Sequence, residues 1–180
     1  TFWIGLIPAR YIPFATLDLT QKDAWFLDLR LAALKSDSAL CQAVLSEPNI
    51  TATPVSNQPY QSGCGWTNAV RISNVGGARL SAAQLTCPMS AALAMWVTHG
   101  VQPEAERLLG QKVVAIRHMG TYACRNIVGS RRLKSFRSQH ATANAIDISG
   151  FILADGTQIN VLADWPTSTV RSSFLKAVKD

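Results

Sequence analysis

Apolar residues at helical spacing predict helices in the first part of the chain. A first helix face is formed by Trp25, Phe26, Leu29, Leu31 and Leu34. Thr20 and Asp23 resemble a capping box in which Asp replaces Glu, so we expect this helix to begin near them. A second short helix is expected to carry Cys41 and to end near Ser46.

Proline and glycine delimit two further helices in the middle of the chain. Pro88 suits the first turn of the small, apolar stretch MSAALAMWVTHG, and Gly100 is a plausible C-cap for it. The stretch QPEAERLLG repeats this arrangement, with Pro103 near its start and Gly110 after its end. A last helix is predicted near the C-terminus, where apolar residues recur at Val170, Phe174, Leu175 and Val178.

Strands are predicted mainly in the second half. NAVRISNVGGARLS suggests a short strand and a glycine turn, and KVVAIRHMG is rich in β-branched residues. NAIDISGFILADGTQINVLADW indicates two strands joined by a turn at Asp155-Gly156. The stretch 47–66 is rich in Pro, Asn, Ser and Gly and is predicted to be a long surface loop. Helices therefore come first, and the fold class is α+β, a single domain with a small antiparallel sheet on which helices pack.

Composition limits the class of protein. A chain of 180 residues with 48% hydrophobic and 16% charged residues and a mean hydropathy of +0.11 suits one globular domain. The net charge of +6 favours anionic partners such as nucleic acid, lipid headgroups or cell-wall polymers. The one dense basic cluster is RRLKSFR, Arg131 to Arg137, which could equally be a solvated loop. Zinc-finger spacing and a basic strand interleaved with aromatics are both missing from the sequence, so no nucleic-acid partner is expected.

Both ends of the chain raise the question of processing. The apolar stretch 2–8 is far shorter than the about 20 residues that span a bilayer. Residues 1–19 are therefore interpreted as the remnant of a membrane anchor or signal, or as an arm docked on the domain. Residues 20–180 are interpreted as the domain itself, truncated at its C-terminus.

The four cysteines, Cys41, Cys64, Cys87 and Cys124, lack the CxxC spacing of zinc ribbons and thioredoxin sites. Their even number suits disulfides in an oxidising compartment, although buried thiols are the alternative. Three pairings are possible, and Cys41–Cys64 is the first choice because its loop is the shortest that Cys41 can close. Trp25, Trp66 and Trp96 are expected in the core, and Tyr122 and Trp165 in the core or a cleft wall.

His140 and Asp147 form the candidate site. If a strand runs through Asp147, then Ile146 and Ile148 point into the core and the carboxylate points away from it. The small residues of HATANA allow the loop to fold back, so that imidazole and carboxylate could converge, with ligating atoms within about 4 Å. Both groups suit Zn²⁺. The alternative is an ordinary loop that runs into an ordinary strand.

A sequence resemblance favours the metal-binding interpretation of His140 and Asp147. SQHATANAID resembles the S-x-H-x-x-G-x-A-x-D motif of the D-Ala-D-Ala zinc peptidases, which share a fold with hedgehog-type domains. Ala143 stands where that motif has glycine. A wider similarity links the chain, from about Cys41 onward, to the bacterial extensin-like C-terminal domain family. Its supporting stretches are GCGW, LTCPMSAALAMW, GTYACR, SQHATANAIDISGF and LADGTQINVLADW.

The resemblance implies a hedgehog/DD-peptidase-like fold and an enzyme of the periplasm or cell envelope, either free or anchored to the inner membrane. Such an enzyme hydrolyses peptide cross-links or stem peptides of peptidoglycan. It implies His140 and Asp147 as zinc ligands and Arg125 and Ser138 as substrate-orienting residues, although Ser138 could instead hold the loop and Arg125 could form a surface salt bridge.

In these peptidases a second histidine and an acidic general base lie near the C-terminus, and no histidine follows His140 here. We therefore expect the third ligand, the base and a further cysteine for Cys124 beyond Asp180. Weaker candidates for the third ligand are His99, His118 and Asp164. The alternative function is a non-catalytic domain that binds the cell wall or another partner and keeps the peptidase fold.

Overall fold

Helices and strands interleave in the computed structural model, which describes residues 11–13, 15–22 and 25–179. The helices are α1 (Leu27–Ala33), α2 (Ser38–Val44), α3 (Cys87–Trp96), α4 (Gln102–Leu109), α5 (Val161–Asp164) and α6 (Val170–Lys179). The strands are β1 (Thr51–Val55), β2 (Gln58–Gln61), β3 (Cys64–Trp66), β4 (Ala69–Val75), β5 (Ala78–Thr86), β6 (Val113–His118), β7 (Ile148–Leu153) and β8 (Gln158–Asn160). A single α+β domain, as predicted, is therefore confirmed.

The main sheet is larger than predicted, and it is mixed. Its six strands run in the order β1-β4-β5-β6-β7-β8, and β2 pairs separately with β3. Strands β5 and β6 are parallel, whereas the other neighbours are antiparallel. The prediction of a small antiparallel sheet was wrong here because α3 and α4 provide the crossover that parallel neighbours require. The predicted order, helices before strands, was also wrong, because strands β1 to β5 lie between α2 and α3.

The predicted surface loop 47–66 instead contains β1, β2 and β3. Strand β1 is at the edge of the sheet, where Pro54 is tolerated because an edge strand can leave one side without ladder hydrogen bonds. Most of its residues are exposed, so the apolar alternation that would have indicated a strand is missing.

One face of the sheet packs on the helices. Along β5 the buried Ala78 and Leu80 alternate with the exposed Arg79 and Ser81. Across the buried side, Phe151 of β7 makes an edge contact with Phe174 of α6, with ring centroids 5.3 Å apart. The opposite face carries polar and basic side chains.

The helical stretch around Gly100 does not end there, contrary to prediction. A π-helical turn, Val97–Val101, joins α3 to α4 without a break. The backbone can stay helical because Pro103 falls in the first turn of α4, where its missing N–H has no role. The predicted cap at Gly110 is confirmed, since this residue is left-handed and its N–H bonds to the carbonyl of Glu106.

The first predicted helix face is only partly buried. Leu34 lies in the core, but Trp25 is 59% exposed and was wrongly placed there. The helix begins at Leu27, so Trp25 lies before it, and its ring contacts that of Tyr11 instead. Asp23 of the predicted capping box lies outside the described residues. Trp96 packs against the core.

The last helix matches its prediction closely. Phe174, Leu175 and Val178 are buried on one face of α6, whereas Val170, at its first position, is exposed. The predicted hairpin is also confirmed: β7 and β8 are joined by a turn in which Thr157 N–H donates to Asp155 Oδ1 over 2.8 Å.

The division at residue 19 stays a prediction, and residues 1–10 of the arm lie outside the described residues. Leu17 and Leu19, just before the division, are buried in the core. In the described residues, none of the helices has the length and apolar character needed to cross a membrane.

All four cysteines form disulfides, which confirms the expected oxidised state, but the pairing differs from our first choice. Cys41 bonds to Cys87 and links α2 to α3, while Cys64 bonds to Cys124. The preference for the shortest loop failed because helix packing brings Cys41 and Cys87 together in the core. Cys124 has its partner inside this chain, so the expected cysteine beyond Asp180 is not needed for it.

Candidate functional site

His140 is held in a short 3₁₀ turn, Gln139–Thr142. Ser138 caps the start of this turn, and its Oγ accepts a hydrogen bond from the backbone N–H of His140 over 3.3 Å. Ala143 ends the turn in the left-handed region, with φ of 53°. A buried Ser138 bound in this way has the loop-holding role considered from the sequence.

Asp147 lies one residue before β7 and is fixed by its backbone. Its N–H donates to the carbonyl of Gly120 over 3.1 Å, and its own carbonyl accepts from the N–H of Met119 over 2.8 Å. The neighbouring Ile146 and Ile148 pack against the core, as predicted. The carboxylate therefore points away from the core on a backbone that is clamped on both sides.

The two side chains converge as predicted. His140 Nε2 lies 3.3 Å from Asp147 Oδ1, with the imidazole 12% and the carboxylate 48% exposed. Charge-assisted hydrogen bonds are usually shorter, about 2.7–2.9 Å. Two ligands at about 2.05 Å from one tetrahedral zinc would be separated by about 3.3 Å. The donor types and their separation therefore fit two positions of a zinc site.

The segment that carries Arg125 is bonded directly to this turn. Ala123 N–H donates to the carbonyl of His140, and Ser138 N–H donates to the carbonyl of Arg125, each over 3.1 Å. The Cys64–Cys124 disulfide then joins the segment to β3. Positions 123–125 and 138–140 consequently form one cross-linked unit.

Arg125 is exposed, and its Nη1 makes a single long bond of 3.4 Å to the carbonyl of Asn126. Within the described residues no carboxylate lies at ion-pair distance from it, so the alternative of a surface salt bridge has no acidic partner there. The nearby Arg137 is different, because it donates to Ser62 O over 2.8 Å and to Asn126 Oδ1 over 3.1 Å. Arg125 is thus the guanidinium beside the turn that remains available to a ligand.

The weaker ligand candidates all have other partners. His99 Nε2 lies 2.8 Å from Leu19 O, and His118 Nε2 lies 2.8 Å from Ser81 Oγ. Asp164 Oδ2 accepts the N–H of Asn160 over 2.7 Å. Across ranges 11–13, 15–22 and 25–179, no group of three His, Cys, Asp or Glu side chains is arranged to hold a metal. In the part of the chain that the structure describes, the candidate pair His140 and Asp147 therefore has no third side chain of these types beside it.

A cleft of about 500 Å³ opens beside the same 3₁₀ turn. It lies between the turn, α1 and the β2–β3 hairpin. Its lining includes Asp28, Leu31, Lys35, Tyr60, Gln139 and Asn144. Sequence reasoning missed this cleft, because only tertiary packing brings α1 next to residues more than a hundred positions later.

An aromatic pair stands on the hairpin side of the site. The ring centroids of Trp66 and Tyr122 are 4.9 Å apart in an edge-to-face contact, and Gln58 Nε2 bonds to the Tyr122 hydroxyl over 3.4 Å. Both rings are half-buried, so the expected core position of Trp66 was only partly correct, and Tyr122 is neither fully in the core nor among the residues that line the cleft described above. Trp165 is 37% exposed, so its expected core position was wrong, and its position in a cleft wall stays a prediction.

Comparison with known proteins gives one match. The family described as Extensin-like protein C-terminus matches residues 39–180, which is most of the chain. Neither the curated proteins nor the solved structures include a match.

Proposed function

The chain belongs to the extensin-like protein C-terminus family, and from that premise we propose that it is a zinc-dependent peptidase domain acting on peptidoglycan peptides. The observation that carries the proposal is the 3.3 Å approach of His140 Nε2 to Asp147 Oδ1. The proposal also includes the hedgehog/DD-peptidase-like fold and a place in the periplasm or cell envelope.

Each residue of the site has a distinct part in this function. His140 and Asp147 would hold the metal, and the backbone bonds of Asp147 keep its carboxylate in place. Bound zinc would supply Lewis-acid chemistry and a more acidic water for amide hydrolysis. Arg125 offers a planar fork that suits a carboxylate of the stem peptide. Ser138 keeps the turn in the conformation that presents His140.

The backbone hydrogen bonds of His140 and Asp147 support the proposal, because catalysis depends on groups that are held in place before the reaction. His140 is tied through its own N–H and carbonyl, and Asp147 through both of its backbone groups. The two side chains therefore meet without a loop having to fold on metal binding. Preorganisation of this kind lowers the ordering cost that a new metal ligand pair would otherwise carry.

A second candidate function rests on the incomplete ligand set. A zinc site normally has at least three protein ligands, and the described residues bring two together. A domain that retains this pair without a third ligand would bind cell-wall peptides through Arg125 and the neighbouring cleft, without hydrolysis. The two functions differ in metal content and turnover, which can be measured separately.

The test compares residues 1–180 with the chain extended as far as the gene encodes. Zinc is measured by atomic emission after gel filtration, and hydrolysis by mass spectrometry of purified muropeptides. We expect weak zinc binding and no hydrolysis for 1–180, and stoichiometric zinc with turnover for the extended chain. Binding of muropeptides by both chains without turnover in either would favour the wall-binding function.

Variants of the extended chain separate the roles. His140→Ala and Asp147→Ala should abolish both zinc content and turnover, whereas Arg125→Ala should reduce turnover and leave zinc in place. His99→Ala is the matched control, because this histidine bonds to the carbonyl of Leu19 outside the pair. Full hydrolysis by Asp147→Ala would refute the peptidase. Stoichiometric zinc in residues 1–180 would show a misassigned third ligand, with His118 and Asp164 to be tested next.

A further inference from the structure

A basic loop projects from the cross-linked unit of the site. We call residues 128–136 the basic tip. Its base is a short antiparallel ladder, in which Ile127 N–H donates to Phe136 O over 2.9 Å and the backbones of Asn126 and Arg137 form a β-bridge. Two internal bonds shape the tip, from Leu133 N–H to Ser130 Oγ and from Phe136 N–H to Leu133 O. The tip is therefore a folded turn on a ladder.

The charge of this tip is of one sign. Arg131, Arg132 and Lys134 are exposed, and in the described residues none of them has a carboxylate at ion-pair distance. The sequence contains no Asp or Glu between Glu106 and Asp147. Three unpaired cations on one short turn produce a local positive potential that favours a dense anionic surface.

Exposed apolar side chains lie among these cations. Val128 is 71% exposed, Leu133 46% and Phe136 60%. Leu133 alternates with the cations along the chain, and its carbonyl binds the backbone of Phe136, so these apolar groups belong to the same turn. A loop selected only for solubility would not need an exposed phenylalanine and leucine beside its charges.

We propose that the basic tip docks on the surface of a bilayer rich in anionic phospholipid. The cations match the headgroup phosphates, and Leu133 and Phe136 match the boundary between headgroups and acyl chains. An anionic wall polymer would attract the three cations equally well but would offer no apolar layer for the two apolar side chains. The combination of the two kinds of side chain on one turn therefore favours the bilayer.

Docking would also orient the candidate site. The ladder at the base of the tip continues directly into Arg125 and Ser138, which are bonded to each other. The tip and the 3₁₀ turn of His140 are thus only a few residues apart along a hydrogen-bonded unit. Bilayer binding does not depend on the metal or on hydrolysis, so it can hold or fail independently of the proposed function.

The test measures binding of the 180-residue chain to vesicles by co-sedimentation. Vesicles of phosphatidylcholine with one third phosphatidylglycerol are compared with phosphatidylcholine alone, at 0.15 M salt. Each basic residue near an anionic surface contributes about fivefold to binding. Arg131→Gln/Arg132→Gln/Lys134→Gln should therefore weaken binding by roughly 100-fold, and the Lys substitutions of both arginines should preserve it.

A matched control removes the same charge elsewhere. Arg71, Arg79 and Arg117 are exposed on strands of the main sheet, and their triple substitution by Gln should change binding less than about threefold. An equal loss in this control would mean adsorption through net charge and would overturn the proposal.

The apolar part is tested by Leu133→Ser/Phe136→Ser, which should weaken binding at least tenfold while the melting temperature is unchanged. Unaltered binding by this variant would overturn the bilayer as the partner. Retention on purified peptidoglycan sacculi in place of vesicles would overturn it as well.

Discussion

The two disulfides should stabilise the domain to similar extents by restricting the unfolded chain, yet differ in what else they support. We compare Cys41→Ala/Cys87→Ala with Cys64→Ala/Cys124→Ala. The bridges close loops with sequence separations of 46 and 60 residues. The chain-entropy relation gives about 4 kcal/mol for each at 25 °C.

Burial should separate the two variants. Cys41 and Cys87 are 1% and 0% exposed, whereas in the other bridge only Cys64, 4% exposed, is buried and Cys124 is on the surface. Loss of the buried sulfurs leaves a small cavity between α2 and α3 and should cost about 1–2 kcal/mol more. We therefore expect losses of about 5–6 kcal/mol for the core bridge and about 4 kcal/mol for the other.

The two disulfide losses should affect the candidate zinc site in the opposite order to their effect on stability. The Cys64–Cys124 bridge fixes the segment whose Ala123 N–H binds the carbonyl of His140. Its loss should loosen the His140 turn and weaken any zinc binding, whereas loss of the core bridge should act on stability alone. The free energy of unfolding and zinc binding, measured together, therefore distinguish the roles of the two bridges better than either measurement alone.

Urea unfolding followed by tryptophan fluorescence measures the free energies, and non-reducing peptide mass mapping identifies the bridges. A peptide linked through Cys41 and Cys64 would refute the observed pairing. Equal losses of stability with equal zinc binding in both variants would refute the division of roles.

Two substitutions, each with a control, test the packing around the sheet. Gly150→Ala should destabilise the domain by several kcal/mol, because its Cβ would lie 2.3 Å from the carbonyl oxygen of Ile159 and would force β7 away from β8. The control Gly100→Ala would make only an ordinary contact of 3.5 Å with Trp96, so it should be neutral or stabilising in thermal melts. Phe174→Ala should lower the free energy of unfolding in urea by about 3–5 kcal/mol, since the ring is fully buried. Its control, Val170→Ala at an exposed position of the same helix, should lower it by less than about 0.5 kcal/mol. Similar losses of stability in both variants would contradict this packing.

Features encoded by neighbouring residues were predictable from the sequence. The Asp155-Gly156 turn, the Gly110 cap and the buried face of α6 each depend on chemistry within a few positions. The meeting of His140 with Asp147 was also predictable, because small residues lie between them and a strand begins directly after Asp147. These elements need little information from distant parts of the chain.

Features set by distant packing were not predictable. Nothing local in Cys41 indicates that α3 will bring Cys87 to it. Trp25 has the spacing of the first helix face, although the helix begins only at Leu27. Strand β1 lacks apolar alternation because it is an exposed edge. The cleft beside the 3₁₀ turn likewise exists only after α1 has packed.

Ala143 stands where the peptidase motif that this segment resembles has glycine, and its backbone conformation offers a physical reason for that glycine. It ends the His140 turn with φ of 53° and is fully buried. A left-handed conformation costs an L-residue about 1–2 kcal/mol, which Ala143→Gly would relieve. Against this stand a lost buried methyl, about 0.8 kcal/mol, and the greater freedom of glycine in the unfolded chain, about 0.5–1 kcal/mol. The terms nearly cancel, so we expect a change within about 0.5 kcal/mol.

Ala141→Gly is the matched control, because Ala141 is equally buried in the same turn but is not among the described residues with positive φ. It gains no relief of strain and should lose about 1.5 kcal/mol. Urea unfolding of both variants measures the difference, which should be about 1–2 kcal/mol in favour of Ala143→Gly. Equal losses would show that the turn carries no left-handed strain, and the glycine of the motif would then need another explanation, such as close approach of a substrate to the backbone.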